Sequence, residues 1–307
     1  MTLKTVGIVS TGDMGHAIAR VLRAGGFRTV TCLQGRSART ARLAEAAGCE
    51  TLPDLATLVA VSDVVLSVVP PASARELAAQ MAAALEQTGA QPLFVECNAI
   101  APQTVREISE LVSAAGGRFV DGGIIGLPPR APSTRTRLYV SGPEAEAVTA
   151  LSVPGLTVQA IGPAIGHASG LKMCYAALTK GLCALATELL VAGARMGLSD
   201  ALRAELERSQ GDLLAWIEGA VPRMPPKAYR WVGEMEEIAA TFAHVGLTPR
   251  ILEGAADLYR FVGETPLREE TPEQRQRGQT LEEVVAILAS AQASVSPNAA
   301  ARGRPAG

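Results

Sequence analysis

A glycine-rich segment directly follows the first apolar run of the chain and limits the possible folds more than any other feature. The run Thr5–Val9 is typical of a buried strand, and Ser10-Thr11-Gly12-Asp13-Met14-Gly15 separates it from a helical stretch. Apart from serine at its first position, this segment matches the GxGxxG pattern that joins a strand to a helix. Gly12 would let the backbone approach a pyrophosphate, Gly15 would let the helix pack on the strand, and the helix N-terminus would attract phosphate. The alternative is a tight turn that binds no ligand.

Short apolar runs alternate with helical stretches over residues 1–162. The predicted strands are Thr5–Val9, Thr29–Leu33, Val64–Val69, Pro92–Glu96, Arg118–Val120, Leu138–Ser141 and Thr157–Ala160. The predicted helices between the earlier strands are Met14–Ala24, Ala38–Ala47, Ala72–Leu85 and Pro102–Ala114. This alternation predicts βαβ units and therefore an α/β Rossmann fold with a doubly wound, mostly parallel sheet.

Helical periodicity predominates after Pro163. The predicted helices are Ala164–Met196, Ser199–Glu218, Pro226–His244, Pro249–Phe261 and Thr271–Ala291. Gly197 is a predicted helix stop, Ser199 a predicted N-cap, and Thr271 with Gln274 resembles a capping box. We therefore predict an α/β Rossmann domain at 1–162, an all-helical domain at 163–293, and a disordered tail at 294–307.

Composition excludes several classes of protein. A net charge of -2 and 4% aromatic residues argue against a nucleic-acid partner, which would call for a basic surface. The most apolar long stretch, Tyr175 to Leu198, carries Lys180, Glu188 and Arg195, so we expect no membrane span. Five dispersed cysteines suggest buried free thiols in a reducing cytoplasm. With three histidines and no CxxC motif, we expect no metal site.

The end of the second predicted strand indicates which dinucleotide would bind. An acidic residue at this place would hydrogen-bond the ribose 2′-hydroxyl of NAD, but the chain has Leu33-Gln34-Gly35-Arg36-Ser37. Arg36 can pair with a 2′-phosphate and Ser37 can donate a hydrogen bond to it, with Arg39 adding charge. These residues favour NADP over NAD, unless the arginines form an ordinary solvated face.

Four motifs in order resemble the β-hydroxyacid dehydrogenase family, which includes hydroxyisobutyrate and 6-phosphogluconate dehydrogenases and, more distantly, imine reductases. The family's opening G-x-I-G-x-G-x-M-G is matched by Gly7 through Gly15, with Ser10 as the exception. A valine–proline pair beside the cofactor is matched by Val69-Pro70. The segment D-A-P-V-S-G-G aligns with Asp121 through Leu127, and G-x-G-x-x-x-K-x-x-x-N aligns with Gly166 through Lys172 and then Ala176. The resemblance covers at least residues 5 to 200.

The resemblance implies hydride transfer between a nicotinamide and an alcohol or carbonyl carbon, with Lys172 as the general acid or base. Such a reaction needs a positioned group to protonate the developing alkoxide. It also implies that the domain at 1–162 binds NAD(P), and that the helical domain at 163–293 is a substrate and dimerisation domain that builds a homodimer. The residues expected to bind cofactor are Ser10, Thr11, Gly12, Asp13, Met14, Gly15, Arg36, Ser37, Val69, Pro70 and Asn98. Those expected to bind substrate are Gly123, Ile124, Ile125, Gly126, Tyr175 and Ala176.

Departures from the family pattern limit the functional interpretation. The family's carboxylate-binding serine falls on Ile125, its asparagine after the lysine falls on Ala176, and its Asp-x-Ser-Thr segment becomes Glu96-Cys97-Asn98-Ala99. Losing polar groups in the pocket suggests a small substrate that is less polar than a hydroxyacid. Imine reduction is an alternative, although such relatives usually replace the lysine. A protein that binds NADP without turnover is another.

Overall fold

The computed structural model describes residues 3–133, 135–271 and 274–291. The strands are β1 Thr5–Val9, β2 Arg28–Cys32, β3 Glu50–Leu52, β4 Val64–Ser67, β5 Leu93–Glu96, β6 Arg118–Ile125, β7 Thr136–Ser141 and β8 Leu156–Ala160. The α-helices are α1 Asp13–Ala24, α2 Ala38–Ala47, α3 Leu55–Val61, α4 Ala74–Thr88, α5 Pro102–Ala114, α6 Ala145–Val148, α7 His167–Arg195, α8 Ser199–Ser209, α9 Gly211–Ala220, α10 Ala228–His244, α11 Arg250–Gly263 and α12 Leu281–Ser290. The predicted tail at 294–307 lies outside the described residues.

The strands form one sheet in the order β3-β2-β1-β4-β5-β6-β7-β8. Strands β1 to β6 are parallel, β7 runs antiparallel to β6, and β8 is parallel to β7. The predicted Rossmann fold with a mostly parallel sheet is therefore confirmed. The strand order reverses between β1 and β4, and ligands of such sheets bind beyond the carboxyl ends of the strands at this point.

Two hydrophobic cores, one on each face, hold the sheet between helices. Successive residues of a strand point to opposite faces, so Val64 and Leu66 of β4 enter the core that contains α1, whereas Val65 enters the core that contains α4 and α5. Strands covered on both faces read as continuous apolar runs rather than alternating ones. This explains why the central strands could be located from the sequence.

The sequence analysis missed the short elements β3, α3 and α6, and it predicted β6 too short. Strand β3 has three residues at the edge of the sheet, and α3 is a two-turn helix whose N-cap Asp54 accepts a hydrogen bond from the Thr57 N–H. Neither is long enough to show a clear period. Strand β6 was predicted to end at Val120 but continues to Ile125, because its glycines still pair with β7.

Helix boundaries after residue 195 also differ from the predicted ones. The predicted helix Ser199–Glu218 is two helices, α8 and α9, which meet at Gln210 just before the poor helix former Gly211. Ser199 is the first residue of α8 rather than its N-cap. Gly197 is confirmed as a helix stop, since it has a φ of 72°, in the left-handed region that favours glycine. Two short 3₁₀ helices, Val221–Arg223 and Pro225–Lys227, precede α10.

Contacts divide the chain into two units. The first comprises Met1–Tyr175 and Ala240–Leu247, and the second comprises Ala176–Ala239 and the chain from Thr248 onward. The boundary expected after residue 162 follows the last strand and stays a prediction.

A cluster of aromatic and charged side chains lies in the second unit. The Lys180 ammonium group lies 2.8 Å from Glu234 and 5.6 Å from the Trp231 ring centre. The buried Tyr259 packs edge-on against Trp231 and donates a hydrogen bond to the Lys180 carbonyl. Lys180 therefore forms a half-buried ion pair inside this unit.

Candidate active site

The glycine-rich loop forms an anion-binding turn at the carboxyl end of β1. A Cβ on Gly15 would lie 1.9 Å from the Ser10 carbonyl oxygen, so only glycine lets α1 approach the loop this closely. A Cβ on Gly12 would meet nothing within 4 Å, so this side of the loop is open. Gly12 is also the N-cap of α1, and no side chain caps the first turn. The first amide groups are therefore left for an anion, and the loop fits a pyrophosphate.

The other side chains of the loop hold it in place. Thr11 is fully buried and donates a hydrogen bond to the Thr40 carbonyl of α2. Asp13 would repel a phosphate at this helix end, but its carboxylate forms an ion pair of 2.5 Å with Arg39. Met14 packs against the sheet core. Thr11, Asp13 and Met14 would therefore contribute backbone groups rather than side chains to a cofactor.

A cleft at the carboxyl end of β2 contains Arg36. The cleft has a volume of about 60 Å³ and is lined by Val9, Cys32, Gln34, Arg36, Leu55, Leu77 and Gln80. Arg36 is half-buried, and within the described part of the chain it forms no ion pair, whereas Arg39 is paired with Asp13. Ser37 caps α2 by accepting a hydrogen bond from the Thr40 N–H. Ser37 thus has a structural role in addition to any contact with a ligand.

The Val69-Pro70 pair lies beside the glycine loop. The Ser10 N–H donates to the Val68 carbonyl at 3.4 Å, which joins the loop to the end of β4. The Val69 N–H donates to Asn98 Oδ1 at 2.6 Å, and Asn98 Nδ2 donates to Ser67 Oγ at 2.8 Å. Through these two hydrogen bonds, Asn98 joins the ends of β4 and β5. Its side chain is 4% exposed and lies next to the predicted cofactor position.

Lys172 belongs to α7, and its side chain reaches the carboxyl end of β5. Its ammonium group donates a hydrogen bond to the Cys97 carbonyl at 3.2 Å. The first turn of α7 is held on β6 because Asp121 Oδ2 accepts hydrogen bonds from the Gly166 and Ser169 N–H groups. A Cβ on Gly123 would lie 2.5 Å from the Ala168 carbonyl oxygen and 3.2 Å from Lys172 Cβ, so this glycine admits the helix. The structure therefore brings Lys172, Gly123 and Asn98 to one edge of the sheet.

The remaining predicted substrate residues lie in different surroundings. Ile125 is 6% exposed and shares the face of β6 on which Asp121 and Gly123 meet α7, whereas Ile124 enters the sheet core on the other face. Gly126 has a φ of 123° and passes close to the Arg135 backbone. Tyr175 is 46% exposed, and its contact with substrate stays a prediction. Ala176 is buried in the second unit, and its part in a site stays a prediction.

Sequence reasoning missed the buried carboxyl groups beside Lys172. Glu96 and Asp121 are 1% and 0% exposed, and they are direct partners in the β5–β6 register. Burial raises the pKa of Glu96 to about 8, and the charge of Asp121 adds to this effect. Burial also raises the pKa of Asp121, against the opposing effect of its hydrogen bonds from Ser169, Ser141 and Gly166. The signal in the sequence was an acidic residue at the end of two successive apolar strands.

Two other expectations concern cysteine and metal. The five free cysteines include the exposed Cys174 and the half-buried Cys49, so the expectation that all are buried is wrong. Among the described residues, no three His, Cys, Asp or Glu side chains come together to hold a metal ion. Helix α7 is long and apolar enough to cross a membrane by length and composition alone, properties that a core helix of a water-soluble protein shares.

The sheet order and the open glycine loop together define a dinucleotide-binding Rossmann domain. Comparison with protein families agrees. The NAD binding domain of 6-phosphogluconate dehydrogenase matches residues 5–156, and a Domain of unknown function (DUF1932) matches residues 194–262. A solved protein of unknown function, described as structurally similar to 3-hydroxyacid dehydrogenases, is 30% identical, with a TM-score of 0.63 over 84% of this chain and 99% of that one. The chain belongs to the β-hydroxyacid dehydrogenase superfamily.

More distant relatives are less informative about activity. An uncharacterized 28.5 kDa protein of Methanothermus fervidus is 29% identical over 206 residues, which are 67% of this chain and 77% of that protein. Mycobacterium tuberculosis 3-hydroxyisobutyrate dehydrogenase is 20% identical, with a TM-score of 0.65 over 85% of this chain and 94% of its own. A Streptomyces aurantiacus imine reductase is 18% identical, with a TM-score of 0.51 over 84% and 93%. At these identities the last two show the fold alone.

Proposed function

We propose that the protein is an NADP-dependent oxidoreductase that interconverts a small carbonyl compound and its alcohol, with Lys172 as the general acid or base. The observation that carries this proposal is the position of Lys172, held by the Cys97 carbonyl at the sheet edge where the glycine loop also opens. The cofactor, when bound, supplies or accepts the hydride at the substrate carbon. Lys172 gives its proton to the carbonyl oxygen in reduction and takes the hydroxyl proton in oxidation.

Different residues would hold different parts of the cofactor. The backbone of Ser10 to Gly15 would bind the pyrophosphate, Val69 and Pro70 would lie against the nicotinamide side, and Asn98 would orient its ribose. Arg36 would bind the 2′-phosphate, because its guanidinium group lines the cleft at the end of β2 without an ionic partner among the described residues. The residues directly after β2, 33–37, include no Asp or Glu that could bind the 2′-hydroxyl of NAD. This supports NADP as the cofactor.

The proposed substrate is less polar than a hydroxyacid. Ile125 lies on the face of β6 that carries Gly123 and meets α7, where the family has a serine that binds carboxylate. An isoleucine cannot donate a hydrogen bond, so a carboxylate there would be left without this partner and would be costly to bury. We therefore expect aldehydes and ketones with apolar substituents to be turned over better than β-hydroxyacids.

Substitution of Lys172 tests the proposed role. Lys172→Ala should lower kcat by about 100- to 10,000-fold, because the oxygen loses its proton donor. The measurement follows the absorbance of the reduced nicotinamide with a panel of carbonyl compounds, and fluorescence titration checks that NADPH still binds. Lys4→Ala, at an exposed position, serves as a control with unchanged kcat. Full turnover by the Lys172→Ala protein would refute the assignment.

Imine reduction is the second candidate function, and the apolar Ile125 and Ala176 favour it. Retention of Lys172 favours the carbonyl substrate instead, because imine-reducing relatives usually replace this lysine. Cyclic imines assayed with NADPH beside the carbonyl panel decide between the two. Saturable NADPH binding without turnover of any compound would instead support a non-catalytic binding protein.

The remaining features of the proposal concern the assembly and its location. We expect a homodimer formed through the helical region after residue 163, in the cytoplasm, with a small molecule as substrate and neither nucleic acid nor membrane as partner. Sedimentation velocity of the purified protein tests the dimer, and cell fractionation tests the location.

A further inference from the structure

Two acidic side chains are buried side by side at the ends of β5 and β6. Glu96 and Asp121 are Cα partners in the parallel register, and their side chains are 1% and 0% exposed. Two ionised carboxylates in such a place would repel each other and lack water, so one of them should keep a proton.

The hydrogen bonds indicate which carboxyl group is neutral. Asp121 Oδ2 accepts from the Gly166 and Ser169 N–H groups and from the hydroxyls of Ser141 and Ser169, at 3.0 to 3.2 Å. Within the described part of the chain, Glu96 accepts from only two donors, the Asn98 N–H, which binds Oε1 at 2.8 Å, and the Ser67 hydroxyl. Asp121 therefore has more donors to stabilise a negative charge, and the proton belongs on Glu96. Burial raises the pKa of both carboxyl groups, so the order rests on these hydrogen bonds.

The two carboxyl groups also have unused oxygens. Among the described residues, Glu96 Oε2 and Asp121 Oδ1 are buried and have no hydrogen-bond partner. A buried acceptor without a donor is costly. A proton on Glu96 Oε2 converts one of these two acceptors into a hydrogen-bond donor on β5, next to the strand that carries Asp121. An ionised Glu96 could not provide this donor.

Lys172 completes this cluster. Its ammonium group binds the carbonyl of Cys97, the residue next to Glu96, and its charge acts on the Glu96 carboxyl. We propose that Glu96 is a positioning residue: it is neutral at pH 7, and its ionisation above that pH adds a negative charge that keeps Lys172 protonated. This inference deepens the proposed function, on which it rests, by assigning control of the lysine's proton to a buried carboxyl pair.

The proposal predicts in which direction the pH at which Lys172 loses its proton should change. Charged groups face Glu96 from two other elements, Asp121 of β6 and Lys172 of α7, while burial raises the pKa of the neighbouring Cys97 thiol and keeps it neutral. When Glu96 loses its proton, the added charge favours the ammonium form of Lys172. Glu96→Gln imitates the neutral carboxyl at every pH. In that variant, Lys172 should lose its proton at a lower pH than in the wild type.

Carbon-13 NMR of labelled lysine measures the Lys172 titration without any need for turnover. The chain has four lysines, Lys4, Lys172, Lys180 and Lys227, so the signals can be resolved, and Lys172→Met identifies one of them. We expect Glu96→Gln to lower the Lys172 midpoint by about 1 pH unit, the size of effect that one nearby charge has. Glu110→Gln removes the same charge from an exposed position and should leave the midpoint unchanged.

Infrared difference spectra test the proton on Glu96 independently. The wild type at pH 6.5 should show the carbonyl band of a buried protonated carboxyl, and Glu96→Gln should lack it. An absent band, or an unchanged Lys172 midpoint in Glu96→Gln, would overturn the proposal. A Glu96→Gln protein that fails to fold would do so too, because a neutral amide should fit a site that holds a neutral carboxyl.

Kinetics then separate this inference from the proposed function. If the wild type reduces carbonyl compounds, the alkaline limb of its kcat/KM profile should move to lower pH in Glu96→Gln. If no substrate is turned over, the proposed function fails, but the NMR and infrared results still decide the state of Glu96.

Discussion

At the scale of single residues, Arg36 and Arg39 are three positions apart and differ in their partners. Arg39 is paired with Asp13, whereas Arg36 lines the cleft at the end of β2 and has no ionic partner among the described residues. We expect Arg36→Ala to raise the KM for NADPH by about 10- to 100-fold and to change the KM for NADH little, because one charge-assisted contact with the 2′-phosphate is lost.

The matched control for Arg36 is Arg39→Ala. Removing Arg39 leaves the Asp13 carboxylate unpaired at the start of α1, where it repels the pyrophosphate of either cofactor. The KM values for NADPH and NADH should therefore rise together. An equal effect of Arg36→Ala on both cofactors would refute the assignment of Arg36 to the 2′-phosphate.

The role of a single residue could be predicted from the sequence where neighbouring residues in the chain determine that role. Gly15 could be assigned a packing role because a six-residue motif specifies its surroundings, and the structure confirms its close approach to Ser10. The Glu96–Asp121 pair could not be found in this way, since its partners come from β5, β6 and α7. Their proximity depends on strand register, which the sequence alone does not specify.

At the scale of elements, the start of α12 shows how similar capping signals differ in outcome. The sequence favoured Thr271, but the helix begins at Leu281 with Thr280 as its N-cap. Thr280 Oγ accepts from the Glu283 N–H, and the Glu283 carboxylate accepts from the Gln279 N–H. Thr271 also accepts a hydrogen bond from the Gln274 N–H, but there it closes only a turn. The apolar stripe follows Thr280, and this stripe decides where the helix forms.

Removing each threonine tests that difference. Thr280→Ala should lower the free energy of unfolding by about 1 kcal/mol, the usual effect of losing an N-cap. Thr271→Ala should have a much smaller effect, because no helix depends on it. Urea unfolding followed by circular dichroism measures both. If the two variants lost equal stability, the capping role of Thr280 would be wrong.

At the scale of the whole molecule, the sheet topology could be predicted because each central strand is covered on both faces and is therefore apolar throughout. The edge strand β3 escaped detection for the opposite reason, since two of its three residues are exposed. The motif order supplied the rest of the fold class, because a glycine loop after β1 belongs at the switch point of a parallel sheet. The substrate could not be predicted, since apolar replacements such as Ile125 remove a recognition group without adding another.

The buried Glu96 should also make the stability of the protein depend on pH. Its pKa is raised from 4.5 to about 8 on folding, so between these values the folded state holds a proton that the unfolded state has lost. The Glu96 contribution therefore favours folding below pH 4.5 and is lost as the pH rises to 8, at about 1 kcal/mol per pH unit. Glu96→Gln removes this dependence, so its stability relative to the wild type should increase from pH 5 to pH 8. Urea unfolding at several pH values measures the difference, with the exposed Glu110→Gln as control, and a difference that does not change with pH would mean that Glu96 is ionised in the folded protein.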